Sequence, residues 1–253
     1  MYIQTELIQA FLSDSAIEET ALFSLLDDFT KPDPMRKEVV KELTNRLTQI
    51  VEAFPTFNPA IWNVLFQDTQ DITDDIIIVP VAGTKGHCMI KEDHLYILVD
   101  LIQIADMTPI VSQMCYVMQN YLHQEIAQLC IRQHYPFTAQ SYHEMLDYFT
   151  FTNGLANYIA WNESAHLYKF QTEKYDPYKE KAFGMLYSAI EVENKALQHK
   201  VLSSATHGDF WNQFPGVAGM FYINDLYQEF GVKGLQSLFQ TGWMHLCDRI
   251  FQE

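Results

Sequence analysis

Residues Gln124-Glu125-Ile126-Ala127-Gln128 have the spacing of H-E-x-x-H with glutamine at both histidine positions. In the intact pattern, two imidazoles one helical turn apart reach the same zinc ion. The glutamate between them acts as general base on the metal-bound water. Glutamine offers a neutral amide oxygen, a poor zinc ligand beside imidazole or carboxylate. The general-base position, Glu125, is kept, while Gln124 and Gln128 could hold polar volume without holding a metal.

Other chemistry-bearing residues compete with this stretch. His143-Glu144-Met145-Leu146-Asp147 is a literal H-E-x-x-D, although Ser141 and Glu144 also form a capping box at a helix start. His123 stands one residue before the degenerate motif, about 100° around the helix. With His143, Glu144 or His166 it could build a relocated metal site. His87, Cys88 and His94 put further donors near Gly86, where loop-borne polar residues are the plainer reading. Cys115 and Cys130 lie too far apart on one helix to bridge. Tyr148, Tyr158, Trp161, Phe210, Trp211 and Tyr222 are either core or the lining of a peptide cleft.

The elements that position these residues are legible from apolar spacing. Residues 1–54 read as helices, with Leu7, Ile8, Phe11 and Leu12 in one and Leu22, Phe23, Leu25 and Leu26 in another. A third starts near Pro34 with Asp33 as cap and runs to about Phe54. Between about 61 and 101, IWNVLF, DIIIVPVA, HCMIKE and HLYILVDL read as three or four strands of a small sheet. From 108 to 253 the pattern is helical again. The motif helix runs from Thr108-Pro109 to about Ile131, a second spans roughly Ser141 to Lys169 and a third roughly Pro177 to Leu202. Two or three shorter helices follow, punctuated by Pro215-Gly216, Gly231 and Gly242. No linker or repeat divides the chain, so it reads as one compact α+β unit.

Asn153-Gly154-Leu155-Ala156-Asn157-Tyr158 is similar to the E-G-L-A-x-Y segment that carries the third metal ligand, a glutamate, in one clan of metallopeptidases. With the strand DHLYILVDL, the motif helix and the late PGVAGMFYINDLYQEFGVKGL, the chain resembles the gluzincin-type zinc metallopeptidases. It comes nearest to a family of predicted zinc-dependent proteases that is largely uncharacterised. The resemblance spans roughly Ile76 to Leu238 and implies a zincin-like fold, with the small sheet packed on the motif helix. It would make Gln124, Gln128 and Asn153 the ligand positions and Glu125 the base. All three ligands depart from the family pattern. Zincins often place a transition-state hydrogen-bond donor late in the chain, for which Tyr222 is the candidate. His123 and Tyr158 are further candidates for the cleft.

Composition bounds the function. The chain has 253 residues, of which 16 are Lys or Arg and 32 Asp or Glu, a formal net charge of −16. Such a field repels phosphate backbones and anionic membranes, so neither nucleic acid nor membrane is expected as a partner. The start lacks a basic, apolar leader, and the dispersed Cys88, Cys115, Cys130 and Cys247 suit reduced thiols in the cytoplasm. The expectation is a metallopeptidase-like pseudoenzyme without zinc or other cofactor, keeping a cleft for a peptide or protein. The alternatives are an active hydrolase with a relocated metal site and an unrelated helical interaction protein.

Overall fold

Ile76–Val81 is apolar at every position and buried at every position, as a strand covered on both faces must be. It is β2 of a four-stranded mixed sheet in a computed structural model that describes residues 1–66, 75–86, 88–91, 94–161, 175–206 and 211–252. The strands are β1 (Tyr2–Ile3), β2, β3 (Cys88–Lys91) and β4 (His94–Asp100), in the order β1-β2-β4-β3. β2 runs parallel to both β1 and β4, and β3 pairs antiparallel with β4 at the edge. Pro80 is tolerated in β2 for a local reason. The Gln4 amide donates to the Ile78 carbonyl, so alternation points the Pro80 nitrogen to the same side, where β1 has already ended.

The helices are α1 (Glu6–Leu12), α2 (Lys37–Ala53), α3 (Pro59–Leu65), α4 (Leu101–Met107) and α5 (Val111–His134). They continue as α6 (Tyr142–Trp161), α7 (Tyr175–Ile190), α8 (Lys195–Thr206), α9 (Phe214–Thr241) and α10 (Leu246–Phe251). The described chain is mainly helical with a small mixed sheet, an α+β architecture. Among the described residues, no helix is long and apolar enough to cross a membrane.

Four sequence-based expectations are corrected. The run from Ile61 to Phe66 is helix α3 and its following residue, not a strand. Asn58 takes the left-handed conformation, Pro59 occupies the first turn, and the buried Ile61 and Leu65 are four residues apart. Trp62 and Phe66, also four apart, bring their rings to 4.9 Å. Leu22 to Leu26 form a 3-10 turn (Ala21–Leu25) between extended Thr20 and Leu26, too short a stretch to nucleate an α-helix. The segment 1–54 is not all helical either, because Tyr2–Ile3 supplies a sheet strand. The span from Pro177 to Leu202 is two helices: the Asn194 side chain accepts from the amides of Ala196 and Leu197 and starts α8 afresh.

By its internal packing the chain falls into two compact units. The first comprises residues 1–57 and 68–125, the second 58–67 and 126–253. The first unit packs α1, α2, α4 and the beginning of α5 with the sheet. Ile8, Leu43, Leu47, Ile97, Leu98 and Leu122 are all fully buried in it. Asp33 accepts from the Met35 amide at the 3-10 turn (Pro34–Arg36) that leads into α2. Asp100 caps α4 by accepting from the amides of Ile102 and Gln103, and burial lifts its carboxyl above the ordinary range.

The second unit is built on α6 crossing α9. A side-chain carbon on Gly219 would overlap the Thr150 carbonyl, and one on Gly154 would sit 2.7 Å from the Gly219 Cα. Only glycine at both positions allows this backbone contact. Asn58 Nδ2 ties α3 to α6 by donating to the Ile159 carbonyl at 2.9 Å. The α9 run bends at Gly231, whose φ of 61° and ψ of −149° are non-helical.

Candidate functional site

Glu125 ends the part of α5 that belongs to the first unit, and its half-buried carboxylate meets the sheet. The Cys88 thiol, on edge strand β3, donates to Glu125 Oε2 at 3.0 Å. One turn earlier on α5, the Tyr121 hydroxyl donates to the Leu98 carbonyl of β4 at 3.3 Å. Burial, with the nearby charges of Glu125 and Cys88, pushes the Tyr121 phenol well above its ordinary pKa, so it remains a neutral donor. Gly86 lets the preceding loop lie on this cluster, since a Cβ there would come within 2.8 Å of the Leu98 oxygen. Cys88, Tyr121 and Glu125 therefore form a thiol–phenol–carboxylate cluster between the sheet and the motif helix.

Gln124 and Gln128 lie one turn apart on α5 and both are half-buried. The Gln128 amide oxygen accepts from Arg132 Nη2 at 2.9 Å, an ordinary pair one turn apart on a helix. In the second unit, Asn153 sits where α6 meets the start of α9, its Cβ beside Gly216. Among the described residues, no hydrogen bond joins Gln128 to Asn153. The residues at these positions do not fit zinc. Three neutral amides supply no charge, and one of the amide oxygens is already bonded to an arginine. Among the described residues, no group of three His, Cys, Asp or Glu side chains could hold a metal ion.

His123 is not on a cleft wall. It is 1% exposed, and its imidazole stacks on Phe57 at 3.5 Å with Phe54 at 5.2 Å. Neither ring nitrogen has a hydrogen-bond partner among the described residues. Desolvation pushes its pKa down to about 3, so the ring is neutral in the folded protein at pH 7. Tyr158 is likewise core: it is fully buried, with its ring 5.7 Å from Tyr227, and burial raises its phenol pKa.

The H-E-x-x-D segment resolves into structural roles. Glu144 accepts from the Gln140 and Ser141 amides, and its own amide donates to Ser141 Oγ. That reciprocal capping box holds the carboxyl below its usual range, with the Gln140 amide as the largest cause. Asp147 accepts from the amides of His245 and Cys247, at 3.0 and 2.8 Å, and so anchors the start of α10. His143 is exposed beside Tyr142. His87, His166 and Phe210 lie outside the described residues.

Tyr222 is half-buried and lines two adjoining pockets of the second unit, about 340 and 310 Å³ in volume. Both fall at the small end of ligand sites. Leu226 and Phe230 are the other walls common to both. Lys233 and Arg249 line the first, Lys179, Asp225 and Glu229 the second. These charged residues give no motif in sequence, because they converge only once α7, α9 and α10 have packed. Compared with protein-family models, with curated proteins and with solved structures, the chain matches none.

Proposed function

We propose that this protein binds a peptide or protein and has lost the zinc chemistry that its motif spacing suggests. On this reading it is a metallopeptidase-like, zincin-like pseudoenzyme that needs no cofactor. The bond from the Cys88 thiol to Glu125 carries the reading. A general base of this kind works on a metal-bound water, and here the carboxylate accepts from a thiol instead. Gln128, committed to Arg132, gives the same answer at a ligand position. The net charge of −16 favours a peptide or protein partner over nucleic acid or a membrane. No disulfide joins the four cysteines among the described residues, which suits the cytoplasm.

Metal content by elemental mass spectrometry, on protein purified without a histidine tag or chelators, is the test. The expected result is well below one zinc per chain, unchanged after incubation with zinc and desalting. The variant Gln124→His/Gln128→His/Asn153→Glu should then take up one zinc per chain if the ancestry is that of a zincin. One tightly held zinc per wild-type chain would overturn the proposal. A folded triple variant that ignores zinc would remove the zincin geometry from it.

A further inference from the structure

The two pockets that share Tyr222, Leu226 and Phe230 carry opposite charge, and the geometry points to them as a binding site for the carboxy-terminal end of a peptide. Among the described residues, the first pocket is lined by Lys233 and Arg249 and by no carboxylate, in a chain with twice as many acids as bases. Among the described residues, neither cation makes an ion pair. Arg249 is held in place by donating from Nη2 to the carbonyls of Gly242, at 2.6 Å, and Met244, at 3.3 Å. Both of these bonds use Nη2, and Nη1 makes no hydrogen bond among the described residues, so the guanidinium keeps donor capacity to spare. A fixed guanidinium with a lysine beside it suits a carboxylate. Phe230, 55% exposed, and Leu226 offer the apolar wall for the last side chain.

The second pocket balances differently. Lys179 pairs with Asp225, which also accepts from the Tyr175 hydroxyl, and this leaves Glu229 as the carboxylate of the pocket with no ion pair among the described residues. With Phe183, Phe230 and Tyr222 around it, that pocket suits a basic side chain. The occupant is thus a peptide with a free carboxylate, an apolar last residue and a lysine or arginine upstream. The kink at Gly231 lies between Glu229 of the second pocket and Lys233 of the first.

This assignment rests on the peptide-binding reading and locates its site. Fluorescein-labelled hexapeptides ending in phenylalanine, as free acid or carboxamide and with lysine or glutamate three residues upstream, test it by anisotropy on the full chain. The lysine-containing free acid should bind, and its carboxamide and glutamate forms should bind at least tenfold more weakly. Lys233→Glu should weaken the free acid about tenfold and leave the carboxamide unchanged, and Glu229→Lys should abolish the preference for lysine. Both positions are exposed, so the variants should keep the wild-type circular dichroism. Equal binding of acid and carboxamide, or indifference to Lys233→Glu, would overturn the site and leave peptide binding standing. Failure of every peptide to bind would overturn both.

Discussion

His123 should make the protein measurably less stable as the pH falls from 7 to 5. The folded protein buries the imidazole against Phe57 and lowers its pKa from the ordinary 6.5 to about 3. Between those values the unfolded chain holds a proton that the folded chain does not. Stability therefore falls as pH drops through 6.5, and the loss continues until about pH 3. At roughly 1.4 kcal/mol per pH unit, the loss attributable to this ring between pH 7 and pH 5 is about 2 kcal/mol, with a ceiling near 5 kcal/mol in stronger acid. The comparison is wild type against His123→Leu, which keeps an apolar side chain on Phe57 and removes the titration. Urea unfolding at pH 7, 6 and 5, followed by tryptophan fluorescence, gives both curves. Loss of the ring stacking offsets the variant equally at every pH, and titrations common to both proteins cancel in the difference. The free-energy gap should narrow by about 2 kcal/mol on going to pH 5. Curves that stay parallel to within about 0.5 kcal/mol would show that the folded ring is solvated or already protonated, and would refute the argument.

Asp147→Ala removes the acceptor for two backbone amides at the start of α10, and should cost about 2 to 4 kcal/mol in thermal or urea unfolding. Asp147→Asn, which keeps one carbonyl acceptor, should cost less. Gly219→Ala should destabilise by about 3 kcal/mol or more, because the new methyl meets the Thr150 carbonyl, part of a helix backbone that cannot turn aside. A cost below about 1 kcal/mol would mean that α6 and α9 do not cross this closely. Cys88 should alkylate slowly in iodoacetamide mapped by mass spectrometry, since the carboxylate 3.0 Å away opposes the thiolate. Glu125→Gln should speed it several-fold, and an unchanged rate would sever the pair.

The helical parts were legible where a cap and an apolar spacing agreed. Asp33 before Pro34 marks the start of the turn into α2, and Ser141 with Glu144 marks α6, at the places where the side chains make their capping bonds. Ile61 to Phe66 misled because a six-residue apolar run carries no decisive period. The deciding feature was the left-handed Asn58, which a neighbouring helix secures through the Ile159 carbonyl. β1 was illegible for a related reason. Two residues are too few to show alternation, and Tyr2 and Ile3 become a strand only because β2 offers them a free edge.

The candidate site divides along the same line. Gln124, Glu125 and Gln128 lie on one helix, so their spacing is a local property that sequence can carry. Asn153 is tied to them only by the resemblance of its own segment. Nothing in the order of residues links Cys88 to Glu125, 37 positions apart, because the pairing depends on which strand lies at the edge of the sheet. The opposed charges around Tyr222 are more remote still: Lys179, Glu229, Lys233 and Arg249 come from three helices, and the bend at Gly231 falls between Glu229 and Lys233. A motif thus exposes chemistry that one element can hold, whereas Lys233 and Arg249, without an ion pair among the described residues, come together only after packing. That asymmetry explains why the sequence points first to Glu125, a residue engaged by a thiol, and passes over the charged side chains around Tyr222.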